Sequence, residues 1–107
     1  MSADSLLVFF GLRYEIGIDE SEDRNDFRVQ AANRAGLHHY SGNFGGVDER
    51  FLLFIGHQIG VFGVEGQSEA VLAEDEIRDV CEVTRQKLST TGLPGNPSLF
   101  IQWMQDV

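Results

Sequence analysis

Cysteine is almost absent. Cys81 is the only one, so no intramolecular disulfide can form, and a reducing compartment, the cytoplasm, is the expected location. Long hydrophobic runs are absent too. The longest unbroken one, Leu6 to Phe10, falls far short of the roughly 20 residues that span a bilayer. The start, Met1-Ser2-Ala3-Asp4-Ser5, lacks the positive flank of a secretory signal, so neither export nor membrane insertion is expected. Basic residues are scarce, 8 against 17 acids, for a formal net charge of −9. Affinity for nucleic acid comes mainly from lysine and arginine displacing counterions, so binding to DNA or RNA is excluded, as is adsorption to anionic lipid.

What is present is a globular composition. Apolar residues make up 42% and charged residues 23% of 107, which suits one soluble domain over residues 1–107 with a core that needs no covalent staple. The acids are unevenly placed. Residues 19–26 hold five against Arg24, and residues 65–82 hold seven against Arg78, so two segments carry the whole imbalance. Such patches serve helix dipoles and solvation in most proteins. They also steer encounters with a basic protein surface, which makes Asp19, Glu20, Glu22 and Asp23 candidate partner-binding residues.

Hydrophobic periodicity supplies the elements. Ser5 to Ile16 alternates, with Leu6, Val8, Phe10, Leu12, Tyr14 and Ile16 on one side, which predicts a strand; its other side begins apolar and turns charged. Phe27, Ala31 and Ala35 recur every four residues in a short helix that Gly36 is placed to end. Leu37 to Phe44 and Arg50 to Gly56 read as a strand pair joined through Gly45-Gly46. A turn at His57 and a further short strand, Ile59 to Gly63, are expected, with Ala70 to Leu72 as another short edge strand. Ala73 to Ser89 carries one apolar stripe, Ile77, Val80, Cys81, Thr84 and Leu88, and is predicted helical; Ser98 to Met104 closes the chain as a strand. The order predicts an α+β two-layer sandwich of the ferredoxin-like type, β-α-β-β-α-β, with two helices on one face of a mainly antiparallel sheet and one or two extra short strands.

Chemistry-bearing spacings are missing. His38 and His39 are adjacent on a predicted strand and project to opposite faces, His57 lies elsewhere, and no second cysteine completes a tetrahedral site, so no metal or cofactor is expected. Cys81 shares an apolar helix stripe and reads as inert core. Gly42-Asn43-Phe44-Gly45-Gly46 lacks the lysine and the following helix of a phosphate loop and reads as a turn. Glu15, the acid inside a strong strand, is expected to pair across strands with an arginine such as Arg50.

Aromatics are the more informative class, with eight phenylalanines among them. Several strands are apolar on both sides while two short helices cover one, so the uncovered side calls for a partner. The leading expectation is a non-enzymatic interaction module that forms a homodimer or docks on a basic protein, with Trp103 and Met104 contributing. The alternative is a small-molecule-binding domain or small enzyme with a pocket between sheet and helices, using His38, Tyr40, Asn43 and Glu15.

Overall fold

The computed structural model describes residues 4–105, so Met1 to Ala3, read above for a signal flank, lie outside the described residues. The order is β1 (Ser5–Ile16), α1 (Ile18–Ser21), α2 (Phe27–Ala35), β2 (His38–Asn43), a single 3-10 turn (Gly46–Asp48), β3 (Phe51–Gly63), α3 (Glu74–Ser89) and β4 (Ser98–Met104). The described residues form a small α+β domain with one four-stranded antiparallel sheet, ordered β2-β3-β1-β4, and three helices. The two long strands are the central ones, and residues on both of their sides are buried.

Local chemistry sets the helices. The Asp26 carboxylate accepts the Arg28 backbone N–H at 2.8 Å and starts α2; Gly36 ends it at φ 73°, a left-handed conformation that costs glycine little. In α3 the residue before the first turn is Ala73, which has no side-chain acceptor, and Glu76 reaches back to its N–H instead. The acidic stretch begins inside the single turn α1, and the N–H of Gly17 just before that turn donates to Glu20.

The largest difference from expectation is β3. It does not turn at His57 but runs as one strand of 13 residues. Its partners on β1 step from Val8↔Gly60 to Phe9↔Gln58, leaving Ile59 as the extra residue of a bulge. A bulge bends a long strand without breaking its pairing, which is how this one exceeds the usual length. No extra strand forms at Ala70 to Leu72 among the described residues; an isolated bridge, Phe62↔Gln67, folds the chain back just before it.

Two apolar layers flank the sheet. On the helix side, Leu12, Leu53 and Ile55 pack with Ala32, Leu37 and Leu88. On the other side lie Leu7, Phe9, Leu52 and Phe54, all fully buried, with Phe44 over them. That second layer was expected to need a partner, and the chain covers it itself. The reason lies in an opposed pair, Gly11 and Gly56, at φ 154° and 152°. A Cβ on Gly11 would stand 2.1 Å from the Ile55 carbonyl oxygen, and one on Gly56 2.2 Å from that of Phe10, so only glycine fits. With no side chain rising there, Phe9 and Phe54, on opposite sides of the glycine row, lean over it until their rings are 5.5 Å apart. Phe44 and Phe100 meet Phe54 edge-on at 5.4 and 5.8 Å, and the Arg13 guanidinium caps Phe100 at 4.8 Å.

Candidate functional site

A row of open apolar side chains lies on β4. It is an edge strand, and its helix-side residues Leu99, Ile101 and Trp103 are 56%, 64% and 51% exposed. The helical layer packs elsewhere: α3 is buried against β1 and β3 through Thr84 and Leu88, and only its open first half borders Leu99. The strand Ser98–Met104 carries no charged residue, whereas the opposite edge, β2, is six residues of mainly polar character. Trp103 and Met104, expected to act together, occupy alternate strand positions. Trp103 faces solvent, while Met104 turns to the other side and packs against the aromatic core.

The acidic stretch is half structural. Glu20 and Asp26 converge on Arg28, at 2.7 and 2.8 Å, and the Arg28 and Asp26 side chains are only 11% and 6% exposed. The two carboxylates hold Arg28 protonated well above its ordinary range, the Asp26 hydrogen bond contributing most. Asp26 is held below the usual carboxylate range chiefly by the hydrogen bond from Arg28, and Glu20 by the Gly17 N–H and then Arg28. The same guanidinium lies 5.4 Å from the Tyr14 ring, and the Tyr14 hydroxyl donates to the Pro94 carbonyl at 2.6 Å; burial pushes the phenol upward. Of the candidate partner-binding acids, Glu20, Glu22 and Asp23 gather around one hollow of about 570 Å³ with Arg24, His39 and Ser41. Asp23 also accepts from the Asn25 N–H, and Asp19 is exposed in the first turn of α1.

The histidines are placed differently from the sequence reading. His38 and His57 come together, ring centroids 5.2 Å apart. The His38 Nδ1 accepts the Gln58 backbone N–H at 2.9 Å, continuing the β2–β3 pairing past the end of β2. Burial lowers the His57 pKa, helped by the neighbouring His38 and Lys87. Both rings line a cleft of about 410 Å³ with Asp79, Thr84 and Lys87, while His39 belongs to the acidic hollow. Lys87 Nζ donates to the Gly36 carbonyl at 3.3 Å, closing the end of α2. Among the described residues no group of three or more His, Cys, Asp or Glu is arranged to hold a metal ion.

The four residues of the expected sheet–helix pocket do not assemble one. Asn43 ties its turn, donating to the Gly46 carbonyl and accepting from the Gly45 and Arg50 N–H groups. Glu15 pairs with Arg50 at 3.0 Å, an exposed ion pair across strands. Tyr40 packs against Phe44. His38 alone borders a cleft, at the far end of β2 from Asn43. Of the described helices, none is long and apolar enough to cross a membrane. No family model, curated protein or solved structure matches the chain.

Proposed function

We propose that the chain is a non-enzymatic association module that works as a homodimer, joined by antiparallel pairing of β4 with β4 of a second copy. One observation carries this reading: an unpaired edge strand without a charge presents three exposed apolar side chains in a row. Edge strands are normally blunted by charge, proline or brevity because their free N–H and C=O groups template pairing. Here only Pro97, just before the strand, does so. A twofold axis at Ile101 sets Ile101 against its copy and Leu99 against the partner's Trp103, and the two sheets become one of eight strands. The strand order and the two helix-bearing crossovers support a ferredoxin-like reading of the fold, which leaves β4 accessible in this way. A fold so widely reused carries no activity with it.

Light scattering across a concentration series tests the reading. Twice the chain mass is expected at about 100 µM, dissociating on dilution, since so small an interface gives micromolar affinity. Ile101→Lys is expected to give the single-chain mass with an unchanged circular dichroism spectrum. A wild-type chain that stays single at that concentration overturns the proposal, and so does an Ile101→Lys variant that still pairs.

A further inference from the structure

We propose that the hollow between the first half of α3 and the sheet is a binding site for a small, uncharged aromatic molecule. It follows from how α3 sits. The stripe of α3 is buried at Thr84 and Leu88, half-buried at Val80 and Cys81, and 49% exposed at Ile77, so the helix rises off the sheet towards its start. Beneath it opens a cavity of about 450 Å³, walled by Phe10 of β1, Ile59 and Phe62 of β3, Leu72 of the connection and Cys81 of α3, with Leu99 of β4 at one side. The bulge matters here, because it adds Ile59 to the wall.

Size, lining and surroundings specify the occupant. Five segments of chain contribute wall, and the hollow they form is open on one side, so a small molecule can enter it without the fold opening. An apolar cavity of roughly 150 Å³ already takes up benzene, so this one suits a molecule of two rings. No lining side chain is charged, and the Cys81 thiol, the most polar group in the wall, is itself a favourable neighbour for an aromatic ring. The lining residues alternate along the chain with acids, Glu69, Glu74, Glu76 and Glu82, all exposed. A carboxylate or sulfonate entering here meets the net negative charge of that segment, whose Arg78 is already paired with Glu74, so anionic amphiphiles are disfavoured.

The neutral dye phenylnaphthylamine tests this by fluorescence titration. One dye per chain is expected, with a dissociation constant of about 10 µM for a molecule of this size. Ala70→Trp fills the pit from an exposed position on the connection, so the fold should survive by circular dichroism while dye affinity drops about tenfold. The anionic relative anilinonaphthalene sulfonate is expected to bind more weakly and to recover as salt screens the acids. Alkylation of Cys81 by a neutral maleimide should slow when dye saturates the site. Leu99 borders both the hollow and the proposed β4 seam, but Ile101 does not line the hollow, so Ile101→Lys is expected to bind the dye as wild type does. Absence of saturable binding, equal binding by Ala70→Trp, or tighter binding of the sulfonate overturns the proposal. Displacement of dye as protein concentration rises assigns the hollow to a second copy, and loss of dye in Ile101→Lys makes the site depend on the pair; either overturns the proposal as well.

Discussion

Removing the Asp26 carboxylate should damage this protein more than any other acid in residues 19–26. The side chain does two jobs. Oδ1 accepts the Arg28 N–H that starts α2, and both oxygens hold the guanidinium, at 3.0 Å to Nε and 2.8 Å to Nη2. Loss of a helix cap costs about 1 kcal/mol. Stranding a nearly buried arginine costs about 3–5 kcal/mol, but Arg28 keeps Glu20, so the lower end applies. The two losses share one carboxylate and do not simply add, which leaves about 3 kcal/mol for Asp26→Ala. With a urea m-value of about 1.5 kcal/mol per molar, the unfolding midpoint should fall by about 2 M. Asp26→Asn keeps the backbone acceptor and loses the charge, so its shift should lie between Ala and wild type. Combining Asp26→Ala with Arg28→Met removes the stranded charge and should recover much of the loss. The measurement is urea unfolding by circular dichroism at fixed protein concentration, because pairing would couple to stability. A shift below about 0.5 M for Asp26→Ala, on the same m-value scale, refutes the reasoning and returns this carboxylate to the surface available for a partner.

Three further outcomes follow from other parts of the molecule. His57 is held below its unfolded value of about 6.5, so the unfolded chain takes up a proton first on acidification; stability should be full above that pH and fall as pH drops towards the folded value. His57→Gln should flatten the midpoint-against-pH curve there, while Asp26 and Glu20, shifted downward, leave a separate loss at pH below about 4. Gly11→Ala or Gly56→Ala should cost on the order of 3 kcal/mol or abolish folding, whereas Gly42→Ala, whose Cβ meets only the Phe44 ring at 3.9 Å, should stay within about 1 kcal/mol by thermal unfolding. Phe44→Ala should cost about 3–5 kcal/mol, because it uncovers Phe54; a loss under about 1 kcal/mol would mean that Phe44 does not cover that layer.

Elements with short-range signals were legible from residues alone. The four-residue recurrence of Phe27, Ala31 and Ala35 and the glycine after it place α2 where the structure has it, and alternation does the same for β1 and β4. The Glu15–Arg50 pair was legible because antiparallel neighbours of opposite charge attract. The bulge at Ile59 was not, since the register of β3 is set by what β1 offers opposite it. The meeting of His38 with His57 depends on that same register. The hold of Asn43 on its turn had a local signal, an asparagine two residues before a glycine N–H, and the glycine-rich run drew attention away from it.

The aromatic surplus shows how one pattern admits two geometries. Alternation says that β1 and β3 are apolar on both sides; it does not say what lies above them. A pair of facing glycines removes two side chains from the centre of the far layer, and aromatic side chains from three strands and a turn fill the space. The need for a partner on that face disappears. The same arithmetic then runs against β4, whose helix-side residues have no glycine gaps to shelter in and no helix packed down on them, because the buried end of α3 is anchored over β1 and β3 by Leu88. Among the described residues nothing covers Leu99, Ile101 and Trp103 fully. The proposed pairing therefore moves from the face of the sheet to its edge, where a second copy would bring the same three side chains in reverse order.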